Sequence, residues 1–317
     1  MTQRDDAKRA LPGHVGVSEE VAAALPSGRV VALESSLICQ GMPWPHNLET
    51  GLQAEEAVRT AGATPATVAI LEGQVRIGLS RAQLEALARR EDAVKVGIRE
   101  IPWTLLRHLT GGTTVSATMA LAALAGIRVF ATGGIGGVHG SHDLDISADL
   151  VALARFDMVV VSSGAKSFLD IPATLEVLET LGVPVIGYRT GDFPGFFVRT
   201  TGYPLPMRAD EVEDIVRFAR LKWKLRLPGA VLVVNPAPEA DAADPAAVDR
   251  AIRQARQEAA QRGIRGQRVT PFILETIRQL TGGQSLKANK ALVVDNAALA
   301  ARIAVRLANA PVGDEVP

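Results

Sequence analysis

The sequence has a single cysteine, Cys39, in 317 residues. An internal disulfide is excluded, and a reducing cytosol is the natural setting. Neither sign of charge is in excess, with Lys plus Arg and Asp plus Glu at 34 each. Such a chain has no global basic field for nucleic acid or a membrane surface, so any affinity for phosphate must be built locally. Long hydrophobic runs are also missing. The opening MTQRDDAKRALPGH lacks the apolar core of a signal peptide, and no run is long enough to span a bilayer. A cytoplasmic protein is expected. Aromatic residues make up 4% against 47% hydrophobic residues overall, a balance that suits helices packed on a buried sheet. Fixed-period repeats, low-complexity segments and long linkers are absent. Residues 17–308 are expected to form one α/β domain, with flexible tails at 1–16 and 309–317.

What is present is an alternation of short apolar runs with helical patterns. Arg29 to Leu33, Ala66 to Leu71, Ile127 to Thr132, Met158 to Ser162, Val183 to Tyr188 and Ala230 to Asn235 read as strands. Helices are predicted over Leu48 to Ala61, Arg81 to Arg90, Ser116 to Ala125, Ser147 to Phe156, Pro172 to Leu181 and Asp210 to Lys222. After Asn235 the strands stop. Asp244-Pro245 opens a helix to about Arg262, Val269 to Leu280 makes a second, and Ser285 to Leu307 a third with Ser285 as its expected cap. The expectation is an α/β/α sandwich, with a central, mostly parallel or mixed sheet flanked by helices and a helical C-terminal part.

Two predicted strands end on reactive groups. The run Val159-Val160-Val161-Ser162-Ser163-Gly164-Ala165-Lys166 stops at small residues and one lysine, and open α/β sheets bind ligands at strand carboxyl ends. A lysine desolvated there can lose its proton and attack a carbonyl carbon to give a Schiff base; the alternative is a surface lysine at a helix start. In Val30-Val31-Ala32-Leu33-Glu34 a carboxylate lies just past four apolar residues. Glu34 is either an acid–base group in a partly dry site or a helix cap or salt-bridge partner. Gly41-Met42-Pro43-Trp44-Pro45 is a rigid loop suited to a pocket wall. Cys39 reads as a buried, inert thiol rather than a nucleophile.

Gly111-Gly112-Thr113-Thr114-Val115-Ser116 is a glycine–hydroxyl loop opening a helix. Its amides and hydroxyls, Thr114 among them, suit a phosphate or sugar oxygen. It lacks the Gly-Lys-Ser/Thr ending of a P-loop, which argues against a nucleoside triphosphate. Thr132-Gly133-Gly134-Ile135-Gly136-Gly137-Val138-His139 fails the dinucleotide spacing, with His139 at the third glycine and no helix directly after it. A backbone closely approached by substrate fits it better. His139, His142, Asp143, Asp145 and Asp149 then crowd one loop. Carboxylates with waters suit a hard divalent ion such as Mn²⁺ or Mg²⁺; the alternative is Asp145 or Ser147 capping the next helix. Lys95 is either a solvated edge lysine or a second cation for an anionic substrate. Asn289, near the start of the last helix, is within reach of a site.

In order along the chain run VALESS, GMPWPHN, GATPATVAIL, GGTTVSATM, FATGGIGGVH, DISADL, SGAKSFLD, TLEVLETLGVPVIGY, FPGFF, NPAPE, VTPFILE and SLKAN. Ordered matches over about 280 residues are far more specific than any one glycine loop. The chain resembles the pseudouridine-5′-phosphate glycosidase family, also called the indigoidine synthase A family. The resemblance implies reversible cleavage of a C–C glycosidic bond to uracil and ribose 5-phosphate. It implies that Lys166 forms an imine with C1′ of the opened ribose and that Glu34 shuttles the proton. Lys95, Val115 and Ser147-Ala148-Asp149 match substrate-contacting positions, Asp145 matches the metal ligand, and His139 and Asn289 lie in family motifs. It further implies an α/β/α sandwich, a homotrimer and a divalent metal, usually manganese. Departures fall near the expected substrate loops. Gly140-Ser141-His142-Asp143 replaces Arg-Gly-Ala-Glu, Cys39-Gln40 stand where Ser-His or Ala-His is common, Gly97 replaces Ser or His, and Lys290 replaces an apolar residue. Three other readings remain open: a C-glycoside synthase joining ribose 5-phosphate to a natural-product acceptor, a sugar-phosphate-binding protein without catalysis, and a plain Schiff-base aldolase.

Overall fold

In the computed structural model the described residues are 11–140, 145–264 and 269–309. The strands are β1 (Val15–Val17), β2 (Val30–Leu33), β3 (Thr64–Leu71), β4 (Gln74–Ile77), β5 (Val94–Val96), β6 (Gly111–Thr113), β7 (Val129–Ala131), β8 (Val159–Ser162), β9 (Val185–Tyr188), β10 (Met207–Ala209) and β11 (Val231–Val234). The helices are α1 (Glu19–Ala24), α2 (His46–Thr60), α3 (Arg81–Ala88), α4 (Ile101–Leu106), α5 (Val115–Leu124), α6 (Ala148–Arg155), α7 (Ile171–Thr180), α8 (Val212–Lys224), α9 (Pro245–Gln261), α10 (Val269–Leu280) and α11 (Gln284–Asn309).

The sheet runs β1-β4-β3-β2-β7-β8-β11-β9-β10, with β6 on β3 and β5 on β6. All neighbours are parallel except β3 with β4 and β3 with β6. The central strands β2, β8 and β11 are buried along their whole length, as parallel strands covered on both faces must be. Helix α11 packs on β2, β7 and β8 together with α2 and α8, while α5 packs on β2 and β3 and touches α6. The expected sandwich is present.

The length of β3 shapes the site. Its first half, Thr64 to Thr67, pairs with β2, and its second half continues past the end of β2. There Ala69 and Ile70 pair with Gly112 and Gly111, so β6 and then β5 extend the sheet beyond the carboxyl end of β2. Lys95 of β5 is thereby carried to the side of the sheet where β2, β7 and β8 end.

All six predicted strands and nine predicted helices are present, with ends shifted by a few residues. Several elements were not legible. Gly111–Thr113 is strand β6 rather than loop, because two glycines carry no β signal and the pairing comes from β3 and β5. The β3–β4 hairpin turns on Glu72-Gly73, both at positive φ, rather than on the stronger Asn-Gly signal. Val15 and Gly16, on the tail side of the expected boundary, belong to β1 and pair with β4. Ser285 is not a cap: α11 begins at Gln284, and the Thr281 hydroxyl accepts the Ser285 amide instead. Helices α1 and α4 have six residues each, too short to show a period.

Candidate active site

Glu34 is the first residue beyond β2. The chain is held there by Thr113 of β6, whose amide donates to the Ser35 hydroxyl at 3.0 Å, while that hydroxyl donates to the Val68 carbonyl at 2.6 Å. The Glu34 carboxylate is buried and accepts from two hydroxyls, Ser36 at 2.5 Å and Thr132. Neither the cap nor the salt-bridge alternative describes it among the described residues. The carboxylate is desolvated and hydrogen-bonded, and its hydroxyl partners can follow a proton on or off it.

Lys166 lies four residues past β8. Gly164 makes the turn at φ +79°, where an added Cβ would sit 2.2 Å from the Pro194 carbonyl oxygen, so only glycine is accommodated. The Lys166 amide donates to the Ile135 carbonyl at 3.1 Å. Helix α7 begins five residues later, at Ile171 with Asp170 as its cap, so Lys166 does not start a helix. It is half-buried.

Glu34, Lys95 and Lys166 line one narrow cavity. Gly133, Gly134 and Phe196 form one wall; Pro271 and Leu274 of α10 with Asn289 and Val293 of α11 form the other. Phe196 holds a φ of 63°, a strained backbone for a bulky residue. Its ring lies against Gly134, where a Cβ would approach within 2.6 Å. Burial, and then the adjacent Lys166 charge, hold the Lys95 amine below the ordinary lysine range, opposed by Asp149, Glu34 and Glu100. Two amines and a carboxylate therefore share one poorly solvated space.

The remaining candidates form a second group beside the Lys95 end. Asp149 is buried, and its two oxygens accept the Ser116 amide and the Gly136 amide, each at 2.9 Å. Ser147 caps α6 by accepting the Asp149 amide at 3.2 Å, so the helix-cap alternative holds for Ser147. Thr114 precedes α5 with its hydroxyl 3.1 Å from that of Ser116. The Val115 side chain is buried, leaving its amide at the α5 start as the group able to meet a ligand. Ala148 opens α6 and is exposed. The N-termini of α5 and α6 thus converge here, an arrangement that favours an anion. The His139 amide donates to the Asp145 carbonyl at 2.9 Å, and its ring packs 5.9 Å from that of Phe168. Burial lowers the His139 pKa, with Asp145 opposing and Arg256, Lys166 and Lys95 adding to the effect.

Asp145 is exposed. Among the described residues no group of three or more His, Cys, Asp or Glu comes together, and His142 and Asp143 lie outside the described residues. A divalent ion that keeps most of its waters can be held by as little as one carboxylate, and Asp145 offers one here. Cys39 is unreactive, its thiol pushed up to about 12 by burial. Lys290 pairs with Glu49 of α2 at 2.9 Å, which accounts for a charged residue beside Asn289. Gln40 lines the cavity wall, and its side-chain amide donates to the Ala93 carbonyl at 2.9 Å.

Sequence reasoning missed Ser36 and Thr132 as partners of Glu34, and it missed Phe196 and α10 as walls. Thr132 carried a signal, as the last residue of a predicted strand beside a glycine run. Contacts of α10 depend on how the helical C-terminal part folds back, which no local pattern encodes.

Comparison with known proteins places the chain in a family. The indigoidine synthase A-like protein family matches residues 20–306. The pseudouridine-5′-phosphate glycosidase of Alkaliphilus metalliredigens is 49% identical over 291 residues, covering 91% of this chain and 95% of that protein. The enzyme of the same name from Caldanaerobacter subterraneus subsp. tengcongensis is 50% identical over 296 residues, covering 92% and 96%. Among solved structures, an indigoidine synthase A-like protein from Thermotoga maritima superposes with a TM-score of 0.86 at 36% identity, covering 95% of this chain and 99% of that one. The prealnumycin C-glycosynthase AlnA in complex with ribulose 5-phosphate gives 0.85 at 41% identity, covering 93% and 97%. With the strand-end lysine and carboxylate in one cavity and matches along nearly its whole length, this chain belongs to the indigoidine synthase A-like protein family.

Proposed function

We propose that this protein is a cytoplasmic pseudouridine-5′-phosphate glycosidase, reversibly converting pseudouridine 5′-phosphate and water into uracil and ribose 5-phosphate. The observation that carries the reading is the meeting of Lys166, Glu34 and Lys95 in one cavity beside two helix N-termini. A C-glycoside has no heteroatom leaving group to protonate, so the sugar must be opened and its C1′ joined to an amine whose lone pair can form an imine as the C–C bond leaves. Glu34 protonates the ring oxygen as the ring opens and Lys166 Nζ bonds C1′. The C1′–C5 bond then breaks, and its electron pair is captured as C5 of uracil takes a proton. Water hydrolyses the imine, returning the amine and ribose 5-phosphate. Lys95, the Thr114 hydroxyl, the α5 and α6 starts at Val115 and Ser147-Ala148-Asp149, and His139 hold the sugar phosphate. Asn289 faces the base.

Asp145 would hold the divalent ion, which would supply positive charge to an anionic substrate. No helix among the described residues is long and apolar enough to cross a membrane. The working assembly is a homotrimer.

A second reading has its own support. A neighbouring cavity of about 310 Å³ shares Gln40, Gly41, Pro271, Leu274 and Asn289 with the first. An acceptor larger than uracil has room there, and the structural relative named above is a C-glycosynthase. Incubating the protein with ribose 5-phosphate, Mn²⁺ and borohydride tests the shared chemistry. Intact-protein mass should show a reduced adduct on the parent chain and none on Lys166→Ala, and in a parallel reaction without borohydride uracil should yield pseudouridine 5′-phosphate. Binding of ribose 5-phosphate without an adduct would leave a non-catalytic sugar-phosphate-binding protein. An adduct with no turnover of uracil would favour the synthase.

A further inference from the structure

Asn296 stands in the middle of α11, on a face otherwise made of Leu292, Val293, Leu299 and Ala300, and it is fully buried. A side-chain amide there is costly unless its polar atoms are paired. They are. Nδ2 donates to the Thr132 carbonyl at 2.9 Å and to the Ser163 hydroxyl at 3.1 Å, and Oδ1 accepts from the Asn235 side-chain Nδ2 at 3.1 Å. Thr132, Ser163 and Asn235 are the first residues beyond β7, β8 and β11, three neighbouring parallel strands. One side chain therefore ties three strand ends together.

Two of these ties lead directly to the reacting groups. The Thr132 hydroxyl donates to Glu34, and Gly133 and Gly134 after it form a cavity wall. Ser163 begins the turn that delivers Lys166; its amide donates to the Gly133 carbonyl at 2.9 Å, and its carbonyl accepts the Phe196 amide at 3.0 Å. We propose that Asn296 is a positioning residue, which sets the placement of Glu34 against Lys166 by clamping the ends of β7, β8 and β11 without touching substrate. The inference rests on the roles given above to Glu34 and Lys166. At the phosphate end the starts of α5 and α6 receive no hydrogen bond from Asn296, whose partners are Thr132, Ser163 and Asn235.

The test compares Asn296→Ala with the parent chain, counting working sites by the borohydride-trapped adduct with ribose 5-phosphate and measuring kcat per site and KM for pseudouridine 5′-phosphate. A roughly ten- to hundredfold fall in kcat per site is expected, the scale on which a misplacement of about 1 Å acts, with KM little changed. Combining Asn296→Ala with Thr132→Val should cost less than the product of the two single losses, because both reach Glu34 through Thr132. If Asn296→Ala does not fold, Asn296→Ser carries the same comparison, since its hydroxyl is too short to span Thr132 and Asn235 together. An unchanged kcat per site in a folded variant, or losses that multiply in the double variant, would overturn the clamp and leave Asn296 a packing residue. Absence of any adduct on the parent would instead overturn the imine reading, and the clamp with it.

Discussion

At the scale of single residues, the site works by placing charge where water is scarce. Lys95 shows this most directly, because burial and Lys166 both disfavour its charged form. The consequence for stability has a definite sign. Between the lowered value in the folded protein and the ordinary lysine value of 10.5, the unfolded chain binds more protons, so stability rises with pH across that window. A bound phosphate reverses the balance by favouring the ammonium. Sugar phosphate should therefore bind with proton uptake in that window, and more weakly as pH rises through the lowered value. Calorimetry in two buffers of different ionisation enthalpy reads the uptake directly, and Lys95→Met should abolish it. Buffer-independent binding heat in the parent would show that Lys95 does not meet the phosphate.

At the scale of elements, the site is assembled from strand ends and helix starts, and Asp149 joins them. It is the second residue of α6, yet its oxygens serve the first turn of α5 and the loop after β7. Asp149→Ala leaves two backbone amides without their partner, at a cost of about 1–3 kcal/mol for each one left unpaired. Urea unfolding should show that loss, and KM for the sugar phosphate should rise as the α5 start moves. Asp149→Asn keeps one acceptor oxygen and should recover part of both. A wild-type KM in a destabilised Asp149→Ala protein would confine the residue to folding.

At the scale of the whole molecule, a chain of balanced charge leaves large apolar side chains uncovered. Trp103 and Leu106 of α4 and Val151 of α6 are all exposed on the single chain, and self-association is one way to cover such side chains. Light scattering coupled to size-exclusion chromatography should return three times the chain mass. A monomer at working concentrations would reject the trimer.

Much of this protein was readable along the chain. The buried parallel strands announce themselves as unbroken apolar runs, because both of their faces are covered, and the helices as amphipathic repeats closed by caps. Glu34 and Lys166 stand out for the same reason, being polar residues placed immediately after such runs. The ordered motif strings specify the family. Tertiary structure alone decided which polar groups meet. The extension of β3 past β2 carries β5 and Lys95 to the site, and Thr132 reaches Glu34 across 98 positions of sequence. The return of α11 over the sheet sets Asn296 against three strand ends, and α10 supplies a wall. A period of two or of 3.6 residues encodes the face a segment buries, whereas the partner waiting on that face is fixed only when distant segments pack.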